Sequence, residues 1–143
     1  MSVKYDASLT KDSERNAQQY KDLNLNMTRN PITGDVSKVT DVQSVKRSLN
    51  HLITLMPTDK PFHSEVSSGI QDLLFEPMDG ITANVLATRI ELVINNFEPR
   101  IILAGVRVFP LYDDNKYQVL VDFYLNNTPA DLQTAEIILE RLR

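Results

Sequence analysis

The sequence predicts an α+β fold: several helices packed on a small antiparallel sheet built around a β-hairpin, with an extended N-terminal arm. Three observations carry this. Apolar residues recur at helix spacing over residues 42–56 and again over 85–97. Two runs, 101–109 and 117–125, alternate in character and are joined by a polar turn. A helix-start signal follows at Thr128. Helices, then a hairpin, then a helix place the helices on one face of the sheet.

The chain has 143 residues, enough for one domain with a real core. Residues 1–35 read as an extended or flexible arm and 36–143 as a single domain. The arm is crowded with Asn16, Gln18, Gln19, Asn24, Asn26 and Asn30, and its apolar residues are sparse. Leu23, Leu25 and Met27 alternate with polar residues, as in a short strand. Asn30-Pro31 and Thr33-Gly34-Asp35 are turn signals. Such a segment buries little surface by itself. It is either a mobile terminus or a segment that orders against a partner.

Thr40 or Asp41 caps the first helix, whose stripe is Val42, Val45, Leu49, Leu52, Ile53 and Met56, and Pro57 ends it. A short helix is expected over residues 64–75, with Gly69 as its weak point. Glu76-Pro77-Met78-Asp79-Gly80 is a turn. Thr82 then caps a long helix with the stripe Val85, Leu86, Ile90, Val93, Ile94 and Phe97. Pro99 disfavours helical geometry at Glu98, so the helix ends there. In the next run Ile102, Ala104, Val106 and Val108 share one face, and Ile101, Leu103, Gly105, Arg107 and Phe109 the other. Tyr117, Val119, Val121, Phe123 and Leu125 form the apolar face of the second strand. In the last helix Thr128 is the cap, Pro129 fits the first turn, and Leu132, Ala135, Ile138, Leu139 and Leu142 form the stripe. Arg141 and Arg143 suit its negative end.

Composition narrows the function classes. A net charge of −4 with scattered Lys and Arg argues against a nucleic-acid partner. With no cysteine, disulfides and thiolate metal sites are excluded. No signal peptide or membrane-length apolar run is evident, which predicts a soluble protein with no membrane partner. His51 and His63 are the only histidines and lack the ligand clusters of a metal site, and four glycines do not build a phosphate loop, so no metal and no cofactor is expected. No Gly-x-Ser-x-Gly elbow supports an esterase. Among carboxylates, Glu76, Glu98, Asp113 and Asp114 have the right type for glycoside cleavage. Glu76 and Glu98 flank the long helix and would lie roughly 30 Å apart if all between were helical. Asp113 and Asp114 sit in a turn, where Asp is common for backbone reasons. No catalytic residue is assigned.

The corner Glu98-Pro99-Arg100 has two readings. Locally, Pro99 stops the helix, Arg100 sits near its C-terminal end and Glu98 is merely exposed. Alternatively, Glu98 and Arg100 are held rigidly to engage another chain, a task for which the planar guanidinium is suited.

The run Leu74-Phe75-Glu76-Pro77-Met78, the helix ending Asn96-Phe97-Glu98-Pro99-Arg100-Ile101, and Val106-Arg107-Val108-Phe109-Pro110-Leu111-Tyr112-Asp113-Asp114 together resemble the small baseplate wedge proteins of contractile-tailed bacteriophages. The resemblance spans residues 42–142, takes in Val45-Lys46-Arg47-Ser48-Leu49 and Pro61-Phe62, and leaves the first 35 residues unmatched. That family also takes in type VI secretion baseplate components and is often labelled gene 25-like lysozyme. The resemblance implies a non-enzymatic virion protein of the tail baseplate, assembled in the host cytoplasm. Its partners would be other wedge core proteins, the tail sheath protein, and tube or hub proteins. Glu98, Pro99 and Arg100 would bind the wedge core, and the hairpin would present the surface on which the sheath starts. The alternatives are a peptidoglycan-cleaving lysozyme and the equivalent component of a bacterial contractile secretion system.

Overall fold

A computed structural model describes residues 19–63 and 66–141. The elements run β1 (Lys21–Leu23), β2 (Lys38–Thr40), α1 (Asp41–Thr54), α2 (Ile70–Leu73), α3 (Gly80–Phe97), β3 (Ile101–Leu111), β4 (Lys116–Leu125) and β5 (Thr128–Glu140). The architecture is α+β, with a two-stranded ribbon β1–β2 and a three-stranded antiparallel sheet ordered β3–β4–β5. No described helix is long and apolar enough to cross a membrane.

The ribbon pairs Lys21 with Thr40 and Leu23 with Lys38. Of the expected alternating residues only Leu23 is in the strand, and Leu25 and Met27 lie beyond it, exposed. Asn24 extends the contact one residue further, opposite Ser37: its backbone N–H donates to Ser37 O at 3.0 Å, and its side-chain amide to Ser37 Oγ at 2.9 Å. The turn between the strands needs Gly34, whose φ of +72° is costly for a residue with a Cβ.

α1 buries Val45, Leu49, Leu52 and Ile53, as its stripe predicts, and ends before Met56, whose helical geometry Pro57 disfavours. Thr40 occupies the N-cap, without a side-chain cap bond. The expected helix over 64–75 is a single turn, Ile70–Leu73, because Gly69 at φ +59° breaks the path into it. Ser64 and Glu65 of that expectation lie outside the described residues. α3 starts three residues earlier than a cap at Thr82 implies. Asp79 is the cap, and its Oδ1 accepts the Thr82 N–H at 2.7 Å. Leu86, Ile90, Val93 and Ile94 of its stripe are buried, whereas Val85 faces out at 44% exposure.

The hairpin forms as predicted, with Ile101 opposite Leu125 and Leu111 opposite Lys116. Tyr117, Val119, Val121, Phe123 and Leu125 are all buried. β3 departs from strict alternation. A bulge at Ala104, between the Leu103–Phe123 and Gly105–Asp122 pairs, adds one residue and swaps the two faces. Ile101 and Leu103 point to the core before the bulge, and Val106 and Val108 after it. Ile102, Arg107 and Phe109 are therefore exposed together.

The expected last helix is a strand. β5 pairs with β4 continuously over residues 133–140, Ala135 opposite Val121 and Leu139 opposite Tyr117, and again at Thr128 opposite Leu125 after an irregularity. Ala135, Ile137 and Leu139 are buried, while Leu132 and Ile138 are 53% and 45% exposed. The burial period is two, not 3.6. β4 buries every second residue and has two edges to pair. A strand on its second edge satisfies those backbone groups, and this tertiary demand overrides the local helical preference. Leu142 and Arg143 of the expected helix lie outside the described residues. One core joins α1, α2, α3 and the inner face of the sheet.

Candidate functional site

The site is the junction of α3 and β3. The Glu98 N–H still donates to Ile94 O at 2.9 Å, but its φ, ψ of −123°, 80° leave the helix, as a residue before proline must. Pro99 is exposed, and Arg100 begins the run into β3. The turn between β4 and β5 locks the corner from below. Asn126 donates its side-chain amide to Pro99 O at 2.6 Å and its backbone N–H to Arg100 O at 3.0 Å.

Glu98 is buried, contrary to the helix-stop reading, in which it is merely exposed. Its side chain is 3% accessible and grips Arg100 with both oxygens. Arg100 Nε donates to Oε1 at 2.6 Å and Nη2 to Oε2 at 2.9 Å, the fork-to-fork geometry of the strongest charge-assisted pairs. Ser48 Oγ on α1 donates to Oε2 at 2.6 Å. The remaining edge of the guanidinium turns to the ribbon: Nη1 donates to Asp22 Oδ2 at 3.2 Å and to Ser44 Oγ at 3.4 Å. Ser44 Oγ in turn donates to Asp22 Oδ2. The guanidinium carbon lies 5.8 Å from the centre of the Tyr20 ring, within cation–π range.

Burial pushes the Glu98 carboxyl up, but hydrogen bonds from Arg100 and Ser48 and the Arg100 charge outweigh it and hold it below the ordinary glutamate range. The Glu98 hydrogen bonds raise Arg100 against the opposing effect of burial, with Asp22 adding to the rise. The Ser44 hydroxyl, against partial burial and aided by Arg100, lowers Asp22. All three groups are thus ionised at neutral pH. A depressed, ion-paired Glu98 is the reverse of a glycosidase general acid, which needs a raised pKa. The arrangement is suited to holding Arg100 in one pose.

The structure brings Glu98, Pro99 and Arg100 together with residues the sequence reading did not single out: Tyr20, Asp22, Ser44 and Ser48. A signal for two of them was present. Ser44 and Ser48 sit four apart, beside the apolar stripe of α1, where small hydroxyls face a polar neighbour rather than water. Asp22 carried no local signal. Of the other candidates, Glu76 is exposed, and Asp113 and Asp114 are exposed in the β3–β4 turn. His51 lines an open groove of about 480 Å³ beside Arg100, together with Lys21, Asp22, Leu23, Leu25, Ser44, Arg47 and Ser48. His63 lies in the loop that follows α1. Among the described residues no cluster of acidic and histidine side chains is arranged to hold a metal.

Comparison with known proteins identifies the family. The family described as baseplate wedge protein gp25 matches residues 39–130. The baseplate wedge protein gp25 of Enterobacteria phage T4 is 35% identical over 105 residues, covering 73% of this chain and 80% of that one. The chain belongs to the gp25 baseplate wedge family. Membership makes it a structural component of the tail baseplate that works in contact with other baseplate components. Two solved structures share the fold. One is a protein from Geobacter sulfurreducens described as a candidate tail lysozyme, with TM-score 0.65 and 14% identity, over 71% of this chain and 91% of that chain. The other is a chain of the anti-feeding prophage baseplate, with TM-score 0.58 and 21% identity, over 87% and 88% of the two chains. The gp25 match begins at residue 39, so Glu98, Pro99, Arg100, Ser44 and Ser48 lie within it and β1 lies outside.

Proposed function

We propose that this wedge subunit docks on the wedge core through the Glu98-Pro99-Arg100 corner and offers its β3–β4–β5 sheet to the tail sheath protein, so that sheath assembly starts there, and that it has no enzymatic activity. The observation that carries the docking half is the Glu98–Arg100 fork. Glu98, from within, holds the guanidinium in one orientation, while Pro99 is exposed beside it. A preorganised cation next to a rigid apolar residue loses little entropy on binding. The sheath half is supported by strand order. β4 is central, so β3 and β5 each have an outer edge on which a strand of another chain can pair. Tube or hub proteins are further candidate neighbours.

The docking test removes both charges at once, so that neither is left buried and unpaired. The double variant Glu98→Gln, Arg100→Gln is expected to fold, by circular dichroism and thermal melting, and to drop out of wedges co-expressed with it. Normal incorporation would overturn the docking role. For the sheath half, Leu132→Lys with Ile138→Lys places two cations on exposed β5 positions. Sheath nucleation on the assembled baseplate should fall without loss of wedge incorporation.

The fold shared with a candidate tail lysozyme favours a second reading, peptidoglycan cleavage. Of the carboxylates with the right type for it, Glu98 is ion-paired, as above. Cell-wall clearing that survives purification and is lost on Glu76→Gln, Asp113→Asn or Asp114→Asn would establish it. The anti-feeding prophage likeness favours a third, the same role in a bacterial contractile system, which neighbouring genes decide.

A further inference from the structure

The contact of Arg100 with Asp22 is the least expected feature of the corner. Two sides of the guanidinium are committed to Glu98, within the family-matched region. The remaining nitrogen edge is taken by Asp22, on a strand outside that region. The two bonds differ in character. Glu98 is 3% accessible and bidentate, whereas Asp22 is 47% accessible and makes one contact with Arg100, at 3.2 Å, its Oδ2 also accepting from Ser44 Oγ. The first is a structural pair. The second is a surface pair of the kind that contributes little to stability and exchanges with water.

The groove alongside is positive. Lys21, Arg47 and Arg100 line it against Asp22 in its wall and Glu98 behind Arg100, which leaves one cation in excess. Arg47 Nη1 is bonded at 2.6 Å to a neutral group, the Asn24 amide oxygen. Its apolar lining is Leu23 and Leu25, 62% and 71% exposed. The ribbon that carries Asp22 is anchored at the end where it meets α1. Tyr20 N–H donates to Asp41 Oδ1 at 3.1 Å, Asp41 N–H to Tyr20 O at 2.8 Å, and Gln19 Nε2 to Asp41 Oδ2 at 3.3 Å. β1 itself is three exposed residues long, and such short pairing opens at low cost.

We propose, resting on the docking role of the corner, that this groove receives an acidic segment of a baseplate partner whose carboxylate takes the outer edge of Arg100, and that Asp22 is a built-in stand-in which the partner displaces. The occupant is a polypeptide segment with an Asp or Glu flanked by apolar side chains. The carboxylate would meet Arg100 and Arg47, and the apolar side chains would meet Leu23 and Leu25. A cationic or purely apolar segment would leave the positive charge of the groove uncompensated once Asp22 moved away.

The experiment measures binding of the full chain to the wedge proteins co-purified from the same tail, by biolayer interferometry, for four forms. Asp22→Ala removes the competitor. It should bind roughly threefold to fivefold more tightly than the unmodified chain, the gain expected from freeing one exposed pair. Arg47→Glu should bind at least tenfold more weakly. The double variant Glu98→Gln, Arg100→Gln should not bind. Amide exchange at residues 21–23 and 38–40 checks whether the ribbon stays paired in each variant. In the unmodified chain, partner binding should speed exchange at 21–23. If Asp22→Ala binds equally or more weakly while its ribbon stays paired, Asp22 is part of the interface or of the fold and the displacement is wrong. If its ribbon melts, Asp22→Asn, which keeps the Ser44 contact, serves in its place with the same expected direction. If the double variant binds normally, the docking role itself fails. Those results are distinguishable.

Discussion

The Glu98–Arg100 corner and strand β5 meet at the Asn126-Asn127 turn, yet they are specified differently. The corner is set by particular side chains. Pro99 ends the helix, Glu98 and Arg100 hold each other, and Ser48 and Asn126 fix the pair from two sides. β5 is set by what lies next to it. Residues 128–140 carry a helix cap signal and helix-compatible residues, but the open edge of β4 recruits them as a strand. A corner built from specific contacts should fail when one atom is removed. A strand set by its neighbour should tolerate changes on one face and not on the other.

The largest expected effect tests β5. Ile137 is buried and Ile138 faces out. Ile137→Ala should cost about 2–4 kcal/mol in denaturant unfolding, and Ile138→Ala within about 0.5. A helix with Leu132, Ala135, Ile138 and Leu139 inward would reverse that order.

Next comes the corner itself. Glu98→Gln leaves Arg100 without its buried counter-charge and should cost about 2 kcal/mol. The same pair sets a pH dependence. The folded-state pKa of Glu98 and of Asp22 is depressed, so their stabilisation is full above the ordinary carboxylate range near 4 and is lost as pH falls through the lower folded values. Acid unfolding of the unmodified chain should therefore steepen below about pH 4, and the slope should flatten in Glu98→Gln. An unchanged slope would mean that the fork contributes nothing to folding.

The smallest is Ser48→Ala. It removes one of two donors to Glu98 Oε2 and leaves the Arg100 bond in place, so about 1 kcal/mol is expected. A loss as large as that of Glu98→Gln would mean that Ser48, not Arg100, holds the carboxylate.

How far these regions could be read from sequence follows from the same contrast. α1, α3 and the β3–β4 hairpin were legible because their apolar spacing is repeated over several turns or residue pairs, and Pro57 and Pro99 punctuate them. The bulge at Ala104 was not, because one inserted residue leaves each half of β3 alternating and shifts only the phase between them. β5 was misread because Ala135, Ile137 and Leu139 satisfy a strand while Ala135, Ile138 and Leu139 satisfy a helix, and only β4 decides between the two. At the site, the Glu98-Pro99-Arg100 corner was visible as a motif. The burial of Glu98 and its partner Ser48 on α1 depend on packing fifty residues apart in the chain. Asp22, seventy-eight residues from Arg100, depends on where the ribbon lands.

The central claim is that the corner faces the wedge core. A reconstruction of the assembled tail tests it most directly. The docking role predicts Pro99 and the outer edge of Arg100 in contact with another wedge protein, at the baseplate and beside the first sheath ring. A corner open to solvent, with the subunit held by other surfaces, would contradict it and leave Glu98-Pro99-Arg100 as a helix stop and a structural clamp.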